Sequence, residues 1–202
     1  MLNWDIENQY LSSGYKTICG CDEAGRGPLA GPVFAAAVIL PEGLLIDGLD
    51  DSKKLNEAKR LSLYKEIKEK AVAFAVGRAE VEEIEAINIL NASMLAMNRA
   101  ISALSPIPDF ALVDGNIARG LPVPAVPVIK GDGKSPSIAA AAILAKVERD
   151  AFCLQMDELH PLYGFAKHKG YGTKQHRQAI IEHGACPLHR LSFLKGILNE
   201  AS

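Results

Sequence analysis

The chain has 202 residues, a mass of 21.7 kDa and a net charge of −2, and 49% of its residues are apolar. This composition excludes a disordered or fibrous protein, and the length predicts a single domain over residues 1–202. The longest apolar runs, Val33–Leu40 and Ile138–Ala145, are far shorter than a membrane-spanning helix requires, and the first residues lack the pattern of a signal peptide. We therefore expect a cytoplasmic protein with no membrane partner.

The first half of the chain predicts three strands and two helices from its apolar periodicity. The strands are Thr17–Cys21, Val33–Leu40 and Ala71–Ala79, and the helices cover about Asn56–Lys70 and Val81–Leu104. The second strand is apolar nearly throughout, which is typical of a central strand that is covered on both faces.

The second half predicts two more strands followed by a buried helix. Phe110–Val113 and Pro124–Ile129 are short apolar segments, and Ser135-Pro136 has the N-cap and first-turn chemistry that begins a helix. From His160 onward the pattern indicates loops and short helices. The order predicts an α/β domain with a mixed five-stranded sheet flanked by helices, and a helical C-terminal appendage over about 155–202.

Carboxylates follow three of the predicted strands: Asp22 and Glu23 the first, Asp114 the fourth and Asp132 the fifth. Because ligand sites of α/β sheets gather at strand ends, these side chains are expected to converge. Four unpaired carboxylates repel one another unless cations are bound, and their natural partners are Mg²⁺ or Mn²⁺. Two such ions in a carboxylate cluster serve the hydrolysis of a phosphodiester. The alternative is that Asp114 and Asp132 are ordinary turn residues.

A glycine-rich segment, Gly25-Arg26-Gly27-Pro28, follows the first acidic pair. Glycines beside catalytic acids allow the backbone to approach a sugar-phosphate closely, with Arg26 as a donor. The segment lacks the Gly-Lys-Ser/Thr of a P-loop. A tight connection between two strands is an equally good interpretation.

Charge is distributed unevenly along the chain. Residues 1–129 contain 12 Lys and Arg against 17 Asp and Glu, whereas residues 130–195 contain 10 against 6 and include all five histidines. This asymmetry indicates a C-terminal third that binds a polyanion, although many solvated helical faces have the same composition.

The segment Cys21–Val33 closely resembles the signature opening of ribonuclease HII, the bacterial type 2 ribonuclease H family. Other segments resemble the family in family order, and together they extend from about residue 4 to about residue 194. They are Asp51–Leu55, Ile87–Ile89, Val113–Gly115, Lys130–Asp132, Ser137–Ala141, Ile143–Val147, Arg149-Asp150, Tyr163–Phe165, His168–Thr173 and His189-Arg190.

The resemblance implies an RNase H-like fold and a set of four catalytic, metal-binding acids: Asp22, Glu23, Asp114 and Asp132. These are the same residues that the strand-end argument selects. The resemblance also implies that the ribonucleotide is read by Gly25, Arg26, Gly27 and Tyr171, and that Lys53 contacts a phosphate. On charge grounds, the candidates for binding the nucleic-acid backbone are Lys146, Arg149, His168 and Lys169.

Two positions depart from the family pattern. Ala142 stands where a serine is expected, so a hydroxyl near the active-site helix is missing. The tail has Leu194–Leu198 where many relatives have Ala-Pro-Val, so a sliding-clamp binding peptide is a weaker interpretation there than packing of a terminal helix.

We therefore predict an endonuclease that uses two Mn²⁺ or Mg²⁺ ions to hydrolyse the RNA strand of RNA–DNA hybrids. It is also expected to cut 5′ of single ribonucleotides in duplex DNA, leaving 5′-phosphate and 3′-hydroxyl ends, as a monomer serving ribonucleotide excision repair and DNA replication. One alternative is another metal-dependent nuclease on this fold, such as a junction resolvase, which has no use for the glycine segment. Another is a non-catalytic nucleic-acid binder, which has no need of four clustered acids.

Overall fold

The computed structural model describes residues 2–50 and 55–199, and its centre is a mixed five-stranded sheet. The strand order is β3-β2-β1-β4-β5; β2 is antiparallel to β1 and β3, whereas β1, β4 and β5 are parallel. The strands are β1 Ile18–Ala24, β2 Val33–Ile39, β3 Ala73–Ala79, β4 Phe110–Asp114 and β5 Ala125–Val128. The prediction of a mixed sheet is confirmed.

Helices cover both faces of this sheet and form the C-terminal appendage. They are α1 Asp5–Ser12, α2 Glu57–Lys70, α3 Val81–Ser102, α4 Pro136–Leu159, α5 Phe165–His168, α6 Lys174–His183 and α7 Lys195–Asn199. Side chains of α3 pack on one face of the sheet, and those of α2 and α4 pack on the other. In the described part of the chain, no helix has both the length and the apolarity to cross a membrane.

The long helix α4 lies directly on β1 because Gly20 has no side chain. A Cβ atom at Gly20 would stand 2.1 Å from the backbone carbon of Ser137 in the first turn of α4. Ser135 caps this helix through its side chain, as predicted, and Pro136 occupies the first turn. The close approach brings the start of α4 to the strand that carries the first two acids.

Two strand ends differ from the prediction. Asp22 and Glu23 do not follow β1 but lie within it, because β2 continues to pair with them, Asp22 opposite Ala36 and Glu23 opposite Ala35. Asp114 is the last residue of β4, as predicted. Asp132 does not follow β5 directly but lies in a short 3-10 turn, Gly131–Gly133.

Two helices also differ from the prediction. Helix α1 was not predicted at all; its buried Glu7 accepts hydrogen bonds from the hydroxyl of Ser135 at 2.6 Å and the amide of Ser137 at 3.2 Å. Helix α3 is interrupted at Asn88, which has φ 65° and ψ 163°. The Asn88 side chain then caps the second half by accepting from the amides of Leu90 and Asn91.

The C-terminal appendage packs on the second half of α4. Its apolar cluster contains Phe165, Ile180, Leu194 and Ile197, together with Met156 of α4. Leu194 and Ile197 are buried, so these two tail side chains serve packing.

Candidate active site

The sheet register brings the predicted acids together. Cys21 and Val113 are paired across the parallel strands β1 and β4, so the next residues, Asp22 and Asp114, are neighbours at the same end of the sheet. The Asp114 carboxylate accepts the amide N–H of Gly131 at 2.7 Å. This hydrogen bond ties the turn that carries Asp132 to the end of β4.

The acids repel one another, and two of them, Asp22 and Asp132, are buried. Burial raises the pKa of Asp22 well above its usual range, and the charges of Glu23, Asp114 and Asp132 raise it further. Burial also raises the pKa of Glu23, against the opposing effect of the Arg26 guanidinium at 3.1 Å. A bound cation would relieve this repulsion, because it stabilises the ionised form of every acid around it.

The donor set fits a hard divalent cation, since it consists of carboxylate oxygens. Within residues 2–50 and 55–199, however, no three acidic, histidine or cysteine side chains already form a metal-ligating group. One reason is visible at Glu23, whose carboxylate is engaged by Arg26. An ion that used Glu23 would have to compete with this ion pair.

A cleft opens beside Asp22 and Glu23. Its other walls come from the glycine segment, α2, α4 and the loop after α5, and the residues are Ala24, Gly25, Arg26, Gly27, Arg60, Ala142, Lys146, Arg149 and Tyr171. Asp114 and Asp132 are not part of this lining. Ala142 is almost fully buried, so the missing serine hydroxyl concerns the helix side of the cleft.

The glycine segment is organised by Arg190, which was not among the predicted site residues. This fully buried guanidinium donates to the carbonyl oxygens of Gly25, Arg26, Pro28 and Gly31 at 2.7–3.1 Å. No carboxylate is among these partners, and burial together with the nearby charge of Arg149 lowers the pKa of Arg190 to about 9. Arg190 therefore sets the shape of the segment through its backbone.

Gly25 is required at its position for two reasons. Its φ of +103° lies in a region that side chains disfavour, and a Cβ atom there would stand 2.1 Å from Nε of Arg149. Gly27 lies beside Tyr171, since a Cβ atom at position 27 would be in van der Waals contact with the Tyr171 ring, at 3.7 Å. The segment and the tyrosine therefore face one another across the cleft.

Tyr171 is 46% exposed. The backbone around it is nevertheless fixed, because each carbonyl oxygen from residue 169 to 172 accepts a hydrogen bond. Four donors do this: Arg149 to Lys169 O, Leu29 N to Gly170 O, His176 to Tyr171 O and Arg177 to Gly172 O. The distances are 2.8–3.0 Å. These residues, 169–172, form the Tyr171 loop, whose hydrogen-bonded backbone presents a solvent-facing ring.

The predicted backbone-binding residues fall into two groups. Lys146 lines the cleft in an ion pair with Asp150 at 2.7 Å, and Lys169 lies beside a neighbouring hollow formed by α2 and α4. Arg149 is 2% exposed and donates to the carbonyls of Ala30 and Lys169. His168 is buried with both ring nitrogens bonded to backbone, at Tyr163 O and Gly170 N.

The interpretation of Arg149 and His168 as phosphate contacts is therefore corrected. Charge alone selected them, but both side chains are buried, and their hydrogen bonds to the backbone of Lys169 and Gly170 support the Tyr171 loop. Lys53 lies outside the described residues.

Comparison with protein families gives one assignment over most of the chain: the family model described as Ribonuclease HII matches residues 19–195. Ribonuclease HII of Caldicellulosiruptor saccharolyticus is 53% identical over 195 residues, covering 96% of this chain and 95% of the relative. Ribonuclease HII of Alkaliphilus metalliredigens is 53% identical over 201 residues, covering 96% and 98%.

Solved structures share the fold. Ribonuclease H2 of Pyrococcus horikoshii OT3 superposes with a TM-score of 0.74 at 22% identity, covering 92% of this chain and 99% of that one. RNase HII of Archaeoglobus fulgidus, solved in complex with PCNA, gives 0.72 at 26% identity, covering 87% and 94%. Bst-RNase HIII, solved with Mn²⁺, gives 0.69 at 20% identity, covering 92% and 70%.

Proposed function

Because the chain belongs to the ribonuclease HII family, a divalent-metal-dependent family of enzymes that hydrolyse the RNA strand of RNA–DNA hybrids, we propose that it also cuts 5′ of single ribonucleotides embedded in duplex DNA. The products are 5′-phosphate and 3′-hydroxyl ends. The observation that carries the proposal is the pairing of β1 with β4, which makes Asp22 and Asp114 neighbours, while Asp22 also lines the cleft that holds the glycine segment and Tyr171.

We propose that two divalent ions, Mn²⁺ or Mg²⁺, are held by the four acids: Asp22, Glu23, Asp114 and Asp132. When bound, such ions activate the attacking water and stabilise the leaving 3′-oxygen. The residues of the chain hold the carboxylates in place: β1 fixes Asp22 and Glu23, and the amide of Gly131 orients Asp114.

The glycine segment and Tyr171 are proposed to read the ribose. A 2′-hydroxyl both donates and accepts hydrogen bonds, and it is the sugar group that distinguishes RNA from DNA. Gly25 and Gly27 line the cleft, so their backbone groups can form hydrogen bonds with the 2′-hydroxyl. Arg26 binds the adjacent phosphate. The Tyr171 ring packs on the next sugar, which favours a junction from RNA to DNA.

We propose that residues 1–202 act as one domain and as a monomer in the cytoplasm. A sliding clamp is a weaker candidate for a second partner: RNase HII of Archaeoglobus fulgidus was solved with PCNA, but Leu194 and Ile197 are buried here and do not form an accessible clamp-binding peptide.

Titration with Mn²⁺ on two substrates separates this proposal from its alternatives. We expect metal-dependent cleavage of a labelled RNA–DNA hybrid and none of a DNA four-way junction, with a chelator abolishing the cleavage. Cleavage of the junction would indicate a resolvase, and binding without cleavage of either substrate would indicate a non-catalytic binder.

Replacement of Tyr171 tests the reading of the ribose. Tyr171→Ala should reduce cleavage of a duplex with one ribonucleotide by about tenfold more than cleavage of a long hybrid, because a single junction sugar then supplies the whole signal. Tyr171→Phe should fall between, since the ring remains. Initial rates on the two substrates provide the measurement, and equal losses on both would assign Tyr171 to the fold instead.

The salt dependence of binding tests Lys169 as a phosphate contact. Asparagine tolerates the left-handed backbone that Lys169 adopts, at φ 51°, so Lys169→Asn removes the charge with little strain. The slope of log affinity against log salt should become shallower by about 0.9, with all duplexes affected alike. Lys16→Asn, before the opposite end of β1, is the matched control and should leave the slope unchanged. A slope that Lys169→Asn does not alter would exclude this contact.

A further inference from the structure

Three of the five histidines form a buried group behind Tyr171, outside the acidic cleft. His168, His176 and His189 are 7%, 0% and 2% exposed, and the rings of His168 and His176 stack with centroids 4.3 Å apart. They come from α5, from α6 and from the segment after α6. The charge distribution of the sequence predicts that these histidines belong to a polyanion-binding surface, but the structure places them in the interior.

Backbone groups fix which nitrogen of each ring carries the proton. Nδ1 of His189 accepts the amide N–H of Cys186 at 2.9 Å, so its proton must be on Nε2. That Nε2–H lies 3.0 Å from Nε2 of His176 and donates to it. The remaining nitrogen of His176, Nδ1, then carries a proton and donates to the carbonyl oxygen of Tyr171 at 3.0 Å.

The result is a directed chain of hydrogen bonds from the amide of Cys186 to the carbonyl of Tyr171. Both histidines in it are uncharged at neutral pH, because burial lowers the pKa of His176 and of His189 to about 4. A second proton on either ring would place two donors face to face or displace the amide of Cys186. This arrangement of hydrogen bonds therefore requires both imidazole rings to be neutral.

The segment that contains His189 also binds Leu29, Ala30 and Gly31, which directly follow the glycine segment. Ala30 and His189 form an antiparallel bridge, the amide of Gly31 donates to Leu188 O at 2.8 Å, and the amide of Arg190 donates to Leu29 O at 2.8 Å. His189 thus faces the Tyr171 loop while the next residue, Arg190, faces the glycine segment. One short stretch of chain positions both sides of the cleft.

We infer that His176 and His189 are positioning residues that fix the Tyr171 backbone, and through it the ring, against the substrate sugar. The inference rests on the proposed reading of the ribose by Tyr171. Positioning of this kind matters because small displacements of a recognition group lower the rate even when the group itself is intact. Both histidines are buried, and neither lines the cleft.

Two substitutions of His176 separate the hydrogen bond from packing. His176→Leu fills a similar volume but has no donor, whereas His176→Asn places an amide N–H near the position of Nδ1. The measured quantity is the cleavage rate of the single-ribonucleotide duplex divided by that of the long hybrid. This ratio should fall about tenfold in His176→Leu and less than about threefold in His176→Asn. Equal ratios in the two variants would overturn the inference.

Hydrogen exchange gives a readout that does not depend on activity. The amide of Tyr171 donates to His168 O and that of Thr173 donates to Tyr171 O, at 2.9 and 2.8 Å. Both amides should exchange about tenfold faster in His176→Leu than in wild type and in His176→Asn. If exchange accelerates but Tyr171→Ala leaves the cleavage ratio unchanged, the ribose-reading proposal fails while the positioning of the loop stands. Unchanged exchange would overturn the positioning itself.

The protonation state of the histidine rings can be measured directly in the wild-type protein. Imidazole ¹⁵N–¹H correlation spectra should show His189 protonated on Nε2 and His176 protonated on Nδ1 at neutral pH. His189→Gln, whose amide N–H lies near the position of Nε2, should keep the His176 tautomer and the cleavage ratio. A proton on Nε2 of His176 in wild type would contradict the chain.

Discussion

Asp22→Asn and Asp132→Asn should each abolish turnover, with kcat falling by about a thousandfold, or ~4 kcal/mol of transition-state stabilisation. Each variant removes one charge from the set that would hold the metal ions. Affinity for the hybrid should be unchanged or higher, because a carboxylate no longer repels the phosphates. Steady-state cleavage rates and anisotropy of a labelled hybrid measure the two effects separately.

Stability should not fall in Asp22→Asn. Burial and three neighbouring acids raise the pKa of Asp22, so its ionised form is disfavoured in the folded protein, and a neutral amide removes that penalty. A thermal melt therefore distinguishes lost chemistry from lost fold. Asp47→Asn, at an exposed position away from the cleft, is the matched control and should behave as wild type. Activity within tenfold of wild type in both active-site variants would falsify the metal-ligand assignment.

Arg190→Lys should produce the largest loss of stability among conservative replacements. Lysine keeps the charge but has three donors on one atom, whereas the guanidinium serves four carbonyl oxygens from fixed directions. Because a buried carbonyl left unpaired costs about 1–3 kcal/mol, we expect the free energy of unfolding to fall by about 3 kcal/mol. Chemical denaturation measures this change.

The folded fraction of Arg190→Lys should also lose selectivity, since the glycine segment no longer has a defined shape. Cleavage of the single-ribonucleotide duplex should fall more than cleavage of the hybrid. Arg99→Lys, which alters an exposed ion pair with Glu83, provides the control and should cost less than about 1 kcal/mol. A loss no larger for Arg190→Lys than for Arg99→Lys would mean that the buried guanidinium does not organise the segment.

The sheet, and the meeting of Asp22 and Asp114 at one end of it, could be predicted because both depend on patterns that a single chain carries. Apolar runs located all five strands, and carboxylates near their ends marked one edge of the sheet. The exact placement depended on pairing between distant segments. β2 extends β1 through Asp22 and Glu23, and nothing in residues 17–24 alone specifies where that pairing stops.

The buried supports of the cleft could not be predicted because their partners are backbone atoms. Arg190, Arg149 and the three histidines form hydrogen bonds mainly to carbonyl and amide groups, which are present at every residue, so a sequence does not reveal these partners. In a sequence they look like a basic surface. Helix α1 was missed for a related reason, since the partner of its Glu7 is the start of α4, over a hundred residues away.

We propose that the phosphodiester is hydrolysed at the four acids, beside the ribose that the glycine segment and Tyr171 recognise. Mapping the cut in a DNA duplex with one embedded ribonucleotide, in Mn²⁺, tests it most directly. We predict a single cut on the 5′ side of that ribonucleotide, with a 3′-hydroxyl on one product and a 5′-phosphate on the other, and no cut in the all-DNA duplex. Cleavage on the 3′ side, or equal cleavage of the all-DNA duplex, would contradict it.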